Sequence, residues 1–282
     1  MNDRKFHRVH LITGGFPAGA LAGHDMYYAR HRVLQLLQEF PNVRATVGND
    51  YQDIERWLPG CDLLITYVAG PYGTDEQAEW LERWMEEGGH WLALHGSSGG
   101  KAVKYDTEDG FRKRMVKARH HQTIGAFFLN HPPIRKFSVL VNDPRHPLTR
   151  GLPERFDVTD ELYLIELQDR AHSTVLLTTE LPEDPSPPGF GFTYERDRSL
   201  EADGRTRVLG YERSVGKGGV AYFALGHCHS PQSNTQPCVD PSVSSTGDVP
   251  NPFHGAWDGS ALPTLVRNGI RWGIGAPLER AA

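Results

Sequence analysis

The chain has only three cysteines in 282 residues. Cys61, Cys228 and Cys238 are too few for a disulfide framework, and too few for a structural zinc site built from thiolates. No run is long and apolar enough to be read as crossing a bilayer, and the start Met1-Asn2-Asp3-Arg4-Lys5-Phe6-His7-Arg8 has no apolar signal core. A cytoplasmic location, with no membrane partner, is the expectation. There is no excess of basic charge: 30 Lys and Arg are scattered among 35 Asp and Glu, for a formal charge of −5. Such a surface does not neutralise a phosphate backbone, so nucleic acid is not an expected partner. Internal repeats are missing. So are the HxxxH and HExxH spacings that would place two metal ligands on one helix.

What is present is an alternation of strands and helices. Residues 9–13 are a predicted strand, broken by Gly14-Gly15-Phe16-Pro17. Ala29, Val33, Leu36, Leu37 and Phe40 recur at helical spacing and give one apolar stripe to bury on a sheet. Residues 43–47 read as a second strand, and 62–68 as a nearly continuous apolar strand covered on both faces. Thr74-Asp75-Glu76-Gln77 has capping-box form and opens a helix with Ala78, Leu81 and Met85 inward, closed at Gly88-Gly89. A strand at 91–94 follows, and the order predicts a doubly wound parallel sheet. Residues 137–141, 162–167, 174–178, 208–213 and 220–225 are further predicted strands, the last two joined as a hairpin, and 262–274 is a closing helix. The stretch 230–259, rich in Pro, Ser, Asn and Asp, is predicted to be a lid. The reading is a single domain over 1–282 with this lid at about 230–259.

His95 is the most informative residue, because Trp91-Leu92-Ala93-Leu94 stops there in the turn Gly96-Ser97-Ser98-Gly99-Gly100. A strand ending in such a turn lifts its last side chain above a sheet edge, as in nucleophile elbows. Here that side chain is an imidazole, which leaves acid/base work or metal ligation rather than covalent chemistry. Open α/β sheets bind ligands beyond the carboxyl ends of their strands, and other polar residues fall at such ends. His24-Asp25 follows the first strand, Pro71-Tyr72 the third, and His227 of Gly226-His227-Cys228-His229 ends the strand at 220–225. Glu161 and Tyr163 alternate with Leu162 and Leu164 and so share a face, and His131 before Pro132-Pro133 is held extended.

Each residue has a competing structural role. His24 with Asp25 can cap a helix, and His146 in Asp143-Pro144-Arg145-His146-Pro147-Leu148 is read as fixing a turn. Lys101 and Arg119-His120-His121 are read as a solvated helix face in preference to an anion site. His229 stands second to His227, and Cys228 needs a lowered pKa to act as a nucleophile. Neutral imidazoles and a carboxylate drawn from His24, His95, His131, Glu161 and His227 suit one divalent Zn, Mn, Fe or Ni ion.

As a set, Asp143-Pro144-Arg145-His146-Pro147-Leu148-Thr149-Arg150-Gly151-Leu152 and Asp160-Glu161-Leu162-Tyr163 resemble the most recognisable stretch of the ThuA-like family, associated with trehalose utilisation. Gly23-His24-Asp25, Gly88-Gly89-His90-Trp91-Leu92-Ala93-Leu94-His95, His131-Pro132, Gly216-Lys217-Gly218-Gly219, Leu225-Gly226-His227 and Ile270-Arg271-Trp272 extend the resemblance along the chain. It implies an α/β, flavodoxin-like, class I glutamine amidotransferase-like fold, with a mainly parallel sheet and helices on both faces. His95 would stand where the amidotransferase has its cysteine and His227 near its catalytic histidine, so glutaminase activity is not expected. A role in catabolism of disaccharides, glycosides or their 3-keto derivatives is implied. The leading expectation is therefore a sugar-modifying or glycoside-cleaving enzyme, with His95, Glu161, Tyr163 and His227 catalytic and His24, Asp25, Tyr72 and His131 binding substrate. Its expected partner is a small carbohydrate, and homo-oligomerisation is left open. Trp57, Tyr72, Phe190, Phe192 and Trp257 offer faces for a sugar ring. The alternative is a non-catalytic sugar- or metabolite-binding module on a degenerate amidotransferase scaffold.

Overall fold

The computed structural model describes residues 6–15, 23–108 and 110–276. Phe16 and Pro17, read as the break after the first strand, lie outside them. In chain order the first half runs β1 (His7–Gly14), α1 (Met26–Gln38), β2 (Val43–Gly48), α2 (Ile54–Trp57), β3 (Leu63–Val68), α3 (Asp75–Glu86) and β4 (His90–Leu94). The hairpin β5 (Lys101–Thr107) and β6 (Gly110–Val116) follows, then α4 (Arg119–Ile124), β7 (Ala126–Asn130), β8 (Arg135–Val141) and β9 (Arg155–Asp160). The chain continues through β10 (Leu164–Leu167), β11 (Ser173–Glu180), β12 (Thr206–Val215), β13 (Gly218–Phe223) and α5 (Ala261–Gly273).

Nine strands form one sheet in the order β2-β1-β3-β4-β13-β12-β11-β8-β9. The run from β2 to β13 pairs in parallel, as the doubly wound reading expects. From β13 the sheet continues antiparallel through β12, β11, β8 and β9. Every residue of β3, Leu63 to Val68, is buried, because helices cover both faces of the parallel half. Leu92 and Trp91 of β4 point to opposite faces. A Cβ on Gly269 of α5 would lie 2.7 Å from Leu92, while Trp91 packs edge-on against His120 of α4 at 5.7 Å. The predicted capping box of α3 is formed: Gln77 N–H donates to Thr74 Oγ1 at 3.2 Å and Thr74 N–H to Gln77 Oε1 at 2.9 Å. Among the described residues no helix is long and apolar enough to cross a membrane.

Two sequence expectations need correction. The strand predicted at 162–167 begins only at Leu164, and β10 pairs with β7 in a separate two-stranded sheet. Lys101 opens a β-strand instead of lying on a helix, and His120 and His121 are buried in α4, not solvated. The stretch 230–259, poor in aliphatics, nonetheless has an apolar anchor: Val239 and Phe253 bury with Ile134. It runs as a strap, pinned where His229 and Phe253 exchange backbone hydrogen bonds of 2.8 and 2.9 Å.

Candidate functional site

β4 ends in a single 3-10 turn, His95–Ser98, and His95 adopts φ 44°, a left-handed value rare outside glycine. The next residue has to be small, since a Cβ on Gly96 would lie 2.3 Å from the Val68 carbonyl oxygen. His120 Nε2–H donates to the Ser97 carbonyl at 2.8 Å and His121 Nε2–H to the Gly99 carbonyl at 3.0 Å, so the two α4 imidazoles clamp the turn from one side. Burial pushes His120 down to about 4, which keeps it neutral and donating through that nitrogen. On the other side Tyr222 O–H donates to the His95 carbonyl at 2.9 Å.

The end of β9 supplies the next element. Asp160, fully buried, accepts the backbone N–H groups of Gly226 at 2.8 Å and His227 at 2.9 Å. This ties the end of β9, and Glu161 with it, to the loop after β13. His24 arrives from the loop after β1, whose Asp25 N–H donates to the Cys228 carbonyl at 2.8 Å. Four segments remote in sequence thus meet beyond the sheet's carboxyl edge.

There His95 Nε2 lies 3.0 Å from His24 Nε2 and 3.3 Å from Glu161 Oε2, and His227 Nδ1 lies 3.1 Å from the same Oε2. One ligand atom from each of these four residues lies within 4.8 Å of all the others. Hydrogen bonds fix which nitrogens carry protons. His95 Nδ1–H donates to the Ala224 carbonyl at 2.7 Å, so in the neutral ring Nε2 is a lone pair. His229 Nε2–H donates to the Pro250 carbonyl at 2.8 Å, which makes its Nδ1 an acceptor for His227 Nε2–H at 2.9 Å. His227 Nδ1 is therefore also a lone pair, and burial holds this ring neutral by pushing its pKa down to about 4. Burial works against ionisation of Glu161, yet the neighbouring imidazoles, His131 first, hold its carboxyl well below the usual range. Three acceptors consequently face one point, and among the described residues neither Glu161 Oε2 nor His227 Nδ1 has a hydrogen-bond donor. Converging lone pairs repel one another, whereas a cation among them satisfies all three. A tetrahedral ion with bonds of about 2.0–2.1 Å separates its ligand atoms by about 3.3 Å, close to the three shorter spacings here, while His24 Nε2 lies farther, 4.0 Å from Glu161 Oε2.

His131 stands apart from these four. Its Nδ1–H donates to the Pro132 carbonyl at 2.9 Å, and its Nε2 lies 3.5 Å from Glu161 Oε1, the oxygen turned away from the three imidazoles. Gln236, from the strap, donates its Nε2–H to that same Oε1. Sequence reasoning missed Gln236, because nothing in a polar loop marks one amide. Asp160 is not marked either, because in Asp160-Glu161-Leu162-Tyr163 nothing distinguishes a carboxylate that accepts backbone N–H groups from one that faces a ligand. The Tyr163 ring packs 4.2 Å from His95, and burial raises its phenol well above the usual value, so it remains an O–H donor. Tyr72 O–H donates to the Gly96 carbonyl at 3.1 Å. His24, Tyr72, His131, Glu161 and Tyr163 line one cavity of about 790 Å³, large enough for a two-ring sugar.

Other candidates lie elsewhere. The Asp25 carboxylate is used as the α1 cap, accepting Tyr28 N–H at 2.9 Å. His146 fixes its turn as read, with Nε2–H donated to Glu212 at 3.0 Å and Nδ1 accepting Leu148 N–H at 3.2 Å. Cys228 is buried with its thiol pushed up to about 12, the opposite of what a nucleophile requires. Phe192 lines the cavity and Phe190 an adjoining recess, but Trp57 stacks on His10 and Trp257 is buried with its N–H on the Gly226 carbonyl.

A carboxylate and three imidazoles meet at the carboxyl edge of a mixed nine-stranded sheet, so the chain is an α/β protein with a cluster that could hold a metal ion. The chain belongs to the ThuA family, described by trehalose utilisation, whose profile matches residues 10–237. All four converging residues and Gln236 lie within that stretch. In fold the chain is similar to a ThuA-like protein of Bacteroides uniformis ATCC 8492, at 16% identity over 95% of this chain and 91% of that one, with a TM-score of 0.60. It is also similar to a ThuA-like protein of Parabacteroides merdae ATCC 43184, at 14% identity over 99% and 93%, with a TM-score of 0.58. None of the curated proteins compared matches it.

Proposed function

We propose that this chain is a carbohydrate-active enzyme that holds one divalent transition ion through His24, His95, Glu161 and His227 and acts on a disaccharide, a glycoside or a 3-keto derivative of one. The observation that carries this reading is the convergence of His95 Nε2, His227 Nδ1 and Glu161 Oε2 on one buried point, where the last two have no hydrogen-bond donor among the described residues and His95 Nε2 meets only His24 Nε2. Family membership supports the sugar, and the cavity supports its size.

An ion at this point would supply Lewis acidity to a carbonyl or hydroxyl oxygen of the sugar. A lone pair given to a metal cannot also take a proton, so the base is His131 rather than His95 or Glu161. His131 gives its Nδ1–H to the Pro132 carbonyl, which leaves Nε2 as the atom that takes up and returns a proton, with Glu161 Oε1 3.5 Å away to stabilise the charged ring. Tyr163 offers its phenol O–H to a substrate oxygen, and Tyr72 and Phe192 present apolar surface to a ring. The strap carries Gln236 onto Glu161 and so closes one side of the cavity against water.

Elemental analysis of protein purified without a histidine tag is expected to show stoichiometric metal in the wild type and none in His95→Ala. Incubation with disaccharides and their 3-keto derivatives, read by mass spectrometry, is expected to give metal-dependent turnover. Activity that survives exhaustive chelation would overturn the metal. Saturable sugar binding without any product would make the chain a binding module.

A further inference from the structure

The hairpin of β5 and β6 overhangs the cavity, and its inward face is basic. Lys101, Lys104 and Lys113 line the same cavity as His24, His131 and Glu161. Lys104 and Lys113 are direct cross-strand partners, as are Ala102 and Met115 beside them on the same face. Two like charges placed opposite each other weaken a two-stranded ribbon, which on its own has little stability to spare. Among the described residues no carboxylate lies within 4 Å of any of these three ammonium groups, although Arg114 and Lys117, just outside the cavity face, are paired with Glu195 and Glu166. The hairpin is nonetheless held in place: Thr193 N–H donates to the Lys113 carbonyl at 2.8 Å, and the Tyr105 hydroxyl lies 2.7 Å from Thr193 Oγ1. Lys104 Nζ lies 4.9 Å over the Phe111 ring, a contact that leaves its charge in place, and a pair of positive charges with no carboxylate partner at a cavity mouth fits an anionic occupant. Among the described residues Glu161 is the one carboxylate lining the cavity, and its burial directs that anion to the rim.

We infer that the substrate carries an anionic group, a phosphate ester or a carboxylate, seated against Lys104, Lys113 and Lys101 while its sugar ring lies at the histidine–glutamate centre. The ring rests on the function proposed above; the anion rests on the hairpin alone. Calorimetric titration of the full chain compares trehalose 6-phosphate with trehalose, and lactobionate with lactose, with inorganic phosphate as a third probe. At low salt one anionic compound is expected to bind about tenfold more tightly than its neutral parent, and which one does so identifies the group. That advantage is expected to shrink with added salt and to fall below about twofold in Lys104→Gln/Lys113→Gln, with neutral-sugar affinity and unfolding temperature unchanged. Equal affinity for charged and neutral members, or an advantage that survives the double variant, would overturn the inference. Neutral sugars turned over with no anionic preference defeat the anion and leave the enzyme standing. Lysine-dependent phosphate binding with no sugar binding upholds the anion and defeats the sugar.

Discussion

Individual protons decide what this site can do. The relay from the Pro250 carbonyl through His229 to His227 sets one tautomer, and with it the direction of the His227 lone pair. Replacing His229 by Phe keeps the ring volume and removes the relay, and it is expected to weaken Zn2+ binding about ten- to a hundredfold while the unfolding temperature changes little. Titration of metal-free protein with Zn2+ checks this, and unchanged affinity would refute it. His120 gives a prediction in pH. Its folded pKa, about 4, lies below the usual 6.5 because the ring is buried, so between those values the unfolded chain binds the extra proton. Stability is therefore complete above pH 6.5 and lost as pH falls toward 4, on the order of 1 kcal/mol for each pH unit. Melting curves from pH 7 to 5 are expected to fall at least that steeply, because His10 and His227 are likewise held down to about 4 by burial, and less steeply in His120→Gln.

Elements differed in how plainly the sequence announced them. The turn after β4 was legible because an apolar run cannot continue into five small residues, and the structure places His95 there at positive φ. β1, β3 and α3 were legible for the same kind of reason, through continuous burial or a capping box. The hairpin of β5 and β6 was not, since most of its residues are exposed and its charges mask any alternation. β9 was missed likewise: Arg155-Phe156-Asp157-Val158-Thr159-Asp160 is short, sits at the sheet edge and buries only its last residue fully. In the site, histidines at strand ends could be read, but the strap's register could not, and Gln236 depends on it. Gln236→Ala is expected to lower turnover about tenfold with less than a few degrees of change in unfolding temperature, because it removes one hydrogen bond to Glu161 and no core contact. Deleting the strap's tip is expected to cost both, since Val239 and Phe253 are anchored on Ile134. Steady-state rates and melting curves of the two variants separate these outcomes.

The molecule as a whole has one principal core, running from Val9 in the first strand to Ile274 just after the last helix and joining the parallel and antiparallel halves of the sheet. Tyr211 of β12 donates its O–H to the Ile124 carbonyl at 2.6 Å, and Glu212 beside it accepts Trp272 Nε1–H of α5 at 2.7 Å, so the halves share polar contacts as well. Unfolding is expected to be a single transition, with far-ultraviolet and near-ultraviolet circular dichroism coinciding; two separated transitions would show that the antiparallel half melts alone. The spacing of the four converging residues has a further consequence. His24 and His95 lie 71 residues apart, and Glu161 and His227 follow at nearly the same interval. With an ion in place, the chain becomes three consecutive rings closed at one point, so each tenfold rise in free metal adds about 1.4 kcal/mol of stability. A protease that nicks any one of those rings leaves two fragments that still share the ion.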